Sequence, residues 1–189
     1  MAAHLETRML ARPARLRRAV WLAMAAMTSF FFVLTYAYLQ RHTFASGWFT
    51  PQLAAILSAN TFILIASSLA LQRGREYLRL VSIAGALRWL SIAFALGLLF
   101  LAGQAVAWWT LFRAGVYLPT HPNSGFFFLV TAAHAAHLLF ALSLLAFALS
   151  RAWRGRLSAH RPVLLDLTAI FWHFLDVTWI YLFLVLLLA

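Results

Sequence analysis

The chain alternates between long stretches without a formal charge and short segments rich in arginine. An α-helix rises 1.5 Å per residue, so about 20 apolar residues cross the hydrocarbon core of a bilayer. The uncharged stretches predict five transmembrane helices over residues 20–40, 52–72, 88–112, 125–149 and 167–188. We therefore expect an all-α membrane protein, a bundle of five transmembrane helices. A basic N-terminal tail over residues 1–19 precedes a transmembrane domain over residues 20–189.

The composition excludes several classes of protein for this chain. Of the residues, 65% are hydrophobic and only 10% are charged, whereas a soluble domain carries about 25% charged residues. This excludes a water-soluble enzyme. The apolar runs are continuous instead of alternating, which excludes a transmembrane β-barrel. The chain has no Cys, which excludes disulfides and thiolate-bound metal centres.

The charges predict the orientation in the membrane. All 15 basic residues are Arg, and 13 of them lie in the N-terminal tail and in the connections after helices 2 and 4. Arg41 and Arg113 lie on the other side. Positive residues are enriched in cytoplasmic segments. We therefore expect a cytoplasmic N-terminus, a periplasmic or extracellular C-terminus, and a location in the bacterial inner membrane. The net charge of +11 then reflects topology and contact with anionic lipid, and no nucleic-acid partner is expected.

A few polar residues fall inside the predicted helices, where an unpaired polar group is costly. Helix 2 carries Asn60, helix 4 carries His134 and His137, and helix 5 carries His173 and Asp176. Each pair is three residues apart and so shares a helix face. From the residues alone, three interpretations stay open: a structural polar core between helices, a haem or metal bound between histidines, and a proton relay.

Two segments resemble subunit III of the haem-copper oxidases, which use cytochrome c or quinol. The last helix reads Phe171-Trp172-His173-Phe174-Leu175-Asp176-Val177-Thr178-Trp179, similar to that family's final-helix motif. Helix 4 carries Thr131, His134 and His137 in the order of the family's Thr-Gly-x-His-Gly-x-His run. The resemblance covers about residues 20–188 and is to the short, five-helix form.

The resemblance implies an accessory subunit of a respiratory electron-transport complex, not catalytic alone. Haem and copper would sit in the partner, subunit I, and none in this chain. Subunit I and the other oxidase subunits would be its partners, together with membrane lipids. Asn60, His134, His137, His173 and Asp176 would form a structural polar core. Bound phospholipid is expected as well, with Arg73, Arg75 and Arg154 as candidate contacts to lipid phosphate.

The chain also departs from the family's pattern. The buried Glu that the family has in its corresponding first helix is absent around Met27, and Ala107 stands where a Glu often precedes a Trp. These departures indicate a divergent branch and place any carboxylate-dependent role in question. Two other functions stay open: a membrane electron carrier with a haem b between two histidines, and an accessory subunit associated with a nitric oxide reductase.

Overall fold

A computed structural model describes residues 2–41, 50–80, 82–117, 122–154 and 163–188 of the chain. This part contains five α-helices and no strand, and all five helices are long and apolar enough to cross a membrane. The prediction of an all-α, five-helix membrane protein is therefore confirmed. The helices are α1 (Ala2–Arg41), α2 (Pro51–Leu80), α3 (Ile83–Arg113), α4 (Pro122–Trp153) and α5 (Val163–Leu188).

The helices extend beyond the predicted apolar spans, mostly at their arginine-rich ends. Helix α2 continues to Leu80, so the segment that we expected to connect two helices is largely helical. Backbone hydrogen bonds within a helix need no lipid, so a helix ends where its capping groups are rather than at the bilayer boundary. At the start of α3, the Ser82 hydroxyl accepts a hydrogen bond from the backbone N–H of Gly85 at 3.0 Å.

The four helices α2 to α5 form a closed ring. Contacts join α2 to α3, α3 to α4, α4 to α5, and α5 back to α2. Helix α1 lies outside this ring and packs against α4 and α5. The centre of the ring is filled by fully buried large side chains, among them Phe100, Phe127, Trp172 and Trp179.

Two glycines of α3 allow neighbouring side chains to approach its backbone. A Cβ atom at Gly97 would meet the Trp172 ring at 2.8 Å, and one at Gly103 would overlap the Asn60 amide. Small residues let transmembrane helices pack closely, which matters because lipid supplies no hydrophobic force between helices. These two positions therefore set how tightly α3 packs against α2, α4 and α5.

Candidate functional site: polar contacts between the helices

The first polar contact joins α2 and α5 near the middle of both helices. The Ser68 hydroxyl lies 2.6 Å from Nδ1 of His173. Oδ2 of Asp176, one turn along α5, lies 3.8 Å from the same nitrogen. The Asp176 side chain is 9% exposed and that of His173 is 40% exposed, so the carboxylate lies behind the imidazole. Ser68 thus couples the histidine to α2.

A second contact between α2 and α5 lies about two turns further along. The indole N–H of Trp179 donates to the Thr61 hydroxyl oxygen at 3.0 Å. The Thr61 hydroxyl donates in turn to the carbonyl of Leu57 at 2.8 Å. An interhelical hydrogen bond of this kind fixes the rotation of one helix against the other.

A third contact between these helices is ionic and lies at their arginine-rich end. Oδ1 of Asp166 accepts hydrogen bonds from Nη2 of Arg75 at 2.8 Å and from Nη2 of Arg79 at 2.6 Å. Nη1 of Arg75 also donates to the Gln72 side chain at 2.8 Å. The side chains of Arg75 and Asp166 are 17% and 29% exposed, so water screens this cluster only partly.

The two histidines of α4 have different surroundings. His134 is fully buried, with its ring centroid 5.9 Å from that of Phe100 and 5.0 Å from that of Trp179. Nδ1 of His137 lies 2.7 Å from the carbonyl of Ala133 on its own helix. The ring of His137 faces Phe31 of α1 at 6.0 Å. Aromatic rings therefore enclose the imidazole of His134, whose two nitrogens have no hydrogen-bond partner among the described residues, whereas His137 is half-buried against α1.

The remaining interfaces of the ring also carry polar side chains. The Ser67 hydroxyl donates to the carbonyl of Ala93 across α2 and α3 at 2.8 Å. The indole N–H of Trp108 donates to Thr131 across α3 and α4 at 3.0 Å. Asn60 and Gln104 are both buried, and within the described ranges neither the Asn60 Nδ2 atom nor the Gln104 amide has a hydrogen-bond partner.

The structure brings together only some of the residues that the sequence places in one polar core. His173 and Asp176 are neighbours, and their contact on another helix is Ser68 of α2. His134 and His137 contact aromatic rings of α3, α5 and α1 instead. Sequence reasoning missed the hydrogen bond from Trp179 to Thr61 and the ion cluster of Asp166. The cluster had a usable signal, because Asp166 is an acid at an end of the bundle that is rich in arginine.

The three arginines expected to contact lipid phosphate have different environments. The guanidinium of Arg73 lies 5.2 Å from the ring centroid of Trp89. Arg75 is engaged by Asp166. Arg154 follows α4 and is exposed. In the part of the chain that the structure covers, no group of three or more His, Asp and Glu side chains is arranged to hold a metal ion.

Two grooves adjoin α1. The larger, of about 530 Å³, lies between α1, α4 and α5 near the arginine-rich end and is lined almost entirely by apolar side chains, including Val20, Leu144 and Phe171. The smaller, of about 330 Å³, lies between α1 and α5 closer to the other end. Both are grooves at the outside of the ring, where α1 covers it incompletely.

These features define a class of protein: an integral membrane helix bundle in which side-chain hydrogen bonds and an ion cluster join neighbouring helices. A family model described as cytochrome c oxidase subunit III matches residues 49–188. The chain belongs to the cytochrome c oxidase subunit III family. This confirms the resemblance seen in helices 4 and 5. The subunits of this family are cofactor-free accessory subunits of haem-copper oxidases, so the chain is part of an oxidase complex with other subunits.

Individual relatives agree with the family match. Cytochrome c oxidase subunit 3 of Synechocystis sp. is 33% identical over 172 residues, which cover 87% of this chain and 71% of the relative. A probable cytochrome c oxidase subunit 3 of Mycobacterium tuberculosis is 32% identical over 126 residues, covering 67% of this chain and 62% of the relative. Cytochrome c oxidase subunit 3 of Corynebacterium diphtheriae is 32% identical over 123 residues, covering 65% of this chain and 60% of the relative. The match thus spans about three fifths of the length of the last two relatives.

Proposed function

We propose that the chain packs against the catalytic subunit I of a haem-copper oxidase within the bilayer and stabilises that subunit and its proton-uptake region. Haem, copper and oxygen reduction belong to subunit I. One observation carries the proposal: His173 contacts Ser68 of α2, His137 contacts a carbonyl of its own helix, and the polar atoms of His134 and Asp176 are buried without a hydrogen-bond partner among the described residues. None of these side chains lines either of the two grooves beside α1. Such side chains hold helices in place and leave the chemistry to a partner.

The orientation belongs to the same proposal. The N-terminus is cytoplasmic, the C-terminus is periplasmic or extracellular, and the membrane is the bacterial inner membrane. The ends of α2, α4 and α5 near Arg79, Arg154 and Asp166 lie at one end of the bundle, and the positive-inside rule places this end in the cytoplasm. The relatives named above come from bacteria, which supports the choice of membrane.

Bound phospholipid is the third part of the proposal. The groove of about 530 Å³ between α1, α4 and α5 is apolar and suits acyl chains. It lies at the same end of the bundle as Arg154, whose guanidinium can bind a phosphate through two hydrogen bonds. Arg73 and Arg75 lie on α2, away from this groove, and Arg75 already pairs with Asp166. Arg154 is therefore the best placed of the three.

Affinity purification in a mild detergent tests the proposal, with an optical spectrum and identification of the copurifying subunits. We expect a haem-copper subunit I to copurify and to account for all the haem absorbance. Lipid retained by the complex, measured by mass spectrometry, should fall in Arg154→Gln and stay unchanged in Arg113→Gln, which alters the opposite end of the bundle. A Soret band in the isolated chain that His173→Ala abolishes would instead show a haem-b electron carrier. A nitric oxide reductase as the copurifying enzyme would replace the oxidase in the proposal.

A further inference from the structure

The outward side of α5 between α1 and α2 carries residues that are not all suited to lipid. His173, Val177, Ile180 and Leu184 follow one another at helical spacing. Val177, Ile180 and Leu184 are exposed, and His173 is half-buried with 40% of its side chain exposed. We call this surface the α5 outer face. Three of the four are ordinary lipid-facing residues, whereas His173 presents a polar ring.

His173 lies in the middle of the membrane-spanning helix. It is about 15 Å from the start of α5 and about 22 Å from its end at 1.5 Å per residue. At that depth a side chain of this length cannot reach the headgroups, so an exposed imidazole requires a protein or water neighbour.

One nitrogen of the imidazole is already used. Nδ1 lies 2.6 Å from the Ser68 hydroxyl, and either atom of this pair can be the donor. Nε2 lies on the other side of the ring, away from Ser68 and Asp176, which both contact Nδ1. A polar partner for Nε2 at mid-depth is therefore the chemical requirement of this surface.

The smaller groove lies next to the His173 ring, one helical turn along α5. It has a volume of about 330 Å³ and its wall includes Phe31, Val177 and Tyr181. The hydroxyls of Thr28 and Thr178 also lie there, but each donates to a carbonyl of its own helix at 2.9 Å. The groove therefore presents an apolar wall, one helical turn from His173.

We propose that the α5 outer face binds a transmembrane helix of a partner subunit. That helix places a hydrogen-bonding polar group against Nε2 of His173 and a bulky apolar side chain in the groove one turn away. An acyl chain could fill the groove but carries no polar group at mid-depth, whereas a protein helix supplies both groups. The inference rests on the proposed function and specifies which surface of this chain meets its partner.

Photo-crosslinking in the intact complex tests the contact directly. A photoreactive amino acid at Val177 should form a crosslink to another polypeptide, identified by mass spectrometry. The same group at Leu99 on the outside of α3, which is exposed at a similar depth, reports the background. Crosslinks from Val177 to lipid alone, in a complex that retains its other subunits, would overturn the inference. Loss of the complex itself would refute the proposed function instead, and the two failures are distinguishable by subunit composition.

Two substitutions at His173 test the hydrogen bond. The amide of His173→Gln, which can donate or accept, lies near the position of Nε2, whereas the amide of His173→Asn lies near Nδ1 and can keep the contact with Ser68. We expect His173→Asn to weaken association with the partner about threefold to tenfold, the range of one interhelical hydrogen bond, and His173→Gln to retain it. Equal association of both variants with the partner would contradict the proposal. Thermal unfolding of each isolated chain separates this effect from a loss of folding.

Water is the other neighbour that would satisfy an exposed imidazole. The chain has no Cys, so Val177→Cys introduces a single thiol. In the assembled complex we expect this thiol to react slowly with a polar, membrane-impermeant maleimide. Rapid labelling in the complex would show a water-filled passage beside α5 and would overturn the assignment to a partner helix.

Discussion

The ring of α2 to α5 and the peripheral helix α1 are held by different kinds of contact. In the membrane-spanning window of α1, 11% of the residues are buried, against 33–44% in the other four helices. The ring helices exchange side-chain hydrogen bonds, such as those of Ser67 with α3 and of Trp179 with α2. The hydroxyls of Thr28, Ser29 and Thr35 in α1 donate instead to carbonyls of their own helix.

Aromatic packing is prominent where α1 meets the ring. Tyr38 stacks on Phe126 with ring centroids 4.1 Å apart, and Phe31 meets His137 at 6.0 Å. The match to the family model begins at residue 49 and so covers the ring but not α1. Hydrogen bonds between side chains therefore join the helices of the ring, whereas α1 is positioned mainly by the packing of its side chains. Four pairs of variants test this difference between the ring and α1.

The largest expected difference is between two phenylalanines truncated in the same way. Phe100 is fully buried between His134 and Trp179 inside the ring, and Phe31 packs α1 against His137. We expect Phe100→Ala to lower the free energy of unfolding by about 3–5 kcal/mol, because the ring cannot close over the cavity. Phe31→Ala should cost about 1–2 kcal/mol, since lipid can fill the space left beside α1. Reversible unfolding in mixed detergent and SDS measures both, and equal losses would contradict the comparison.

The next effect concerns the close approach of α2 to α3. A side chain at Gly103 would overlap the buried Asn60 amide, so Gly103→Val should destabilise the ring by about 2 kcal/mol through overpacking. Ala105→Val, at an exposed position of the same helix, is the matched control and should change little. The same unfolding assay applies, and a neutral Gly103→Val would show that α2 and α3 tolerate separation.

A smaller effect is expected at the ionic end of the ring. Asp166→Asn removes the carboxylate that Arg75 and Arg79 share, and we expect a loss of about 1 kcal/mol, or about 2–4 °C in Tm. The loss should shrink in high salt, because the cluster is partly exposed. Glu76→Gln alters an exposed acid of α2 that Gln72 contacts at 3.1 Å and should leave Tm unchanged. A salt-independent loss in Asp166→Asn would point to packing instead of charge.

The smallest effect compares two serines whose hydroxyls have different partners. Ser67→Ala removes a hydrogen bond between helices, which is worth about 0.6 kcal/mol in a membrane protein. Ser29→Ala removes a bond from the side chain to the backbone of its own helix at an exposed position of α1 and should be neutral. Unfolding curves measured in parallel for the two variants resolve the difference. A larger loss in Ser29→Ala would place a specific polar contact on α1.

The sequence was sufficient for the helices but not for their rotation about their own axes. Runs without charge located all five helices because lipid requires each backbone group to bond within its own segment. The spacing of His173 and Asp176 also placed them on neighbouring positions of one helix face. Spacing does not say which helix that face meets. Their contact outside α5 is therefore Ser68 of α2, whereas the sequence placed them in one polar core with His134 and His137.

The pattern of charged and uncharged residues also failed to predict where the helices end. Helix α2 runs on to Leu80 with Arg73, Arg75 and Arg79 on its last turns, since arginine is a good helix former. This extension is what brings Arg75 and Arg79 to Asp166. The ion cluster therefore followed from a helix end that hydropathy alone cannot locate.

The closure of the ring by α5 has a consequence for the order in which the chain assembles. Helices α2 and α3 are separated by two residues, so they can pair as soon as both have been synthesised. The polar contacts of α5 with α2 join residues 87 to 118 positions apart. Until α5 is inserted, Ser68 lacks its contact with His173, and Arg75 and Arg79 lack the carboxylate of Asp166. We expect a chain halted before Val163 to be the form that membrane proteases recognise and remove.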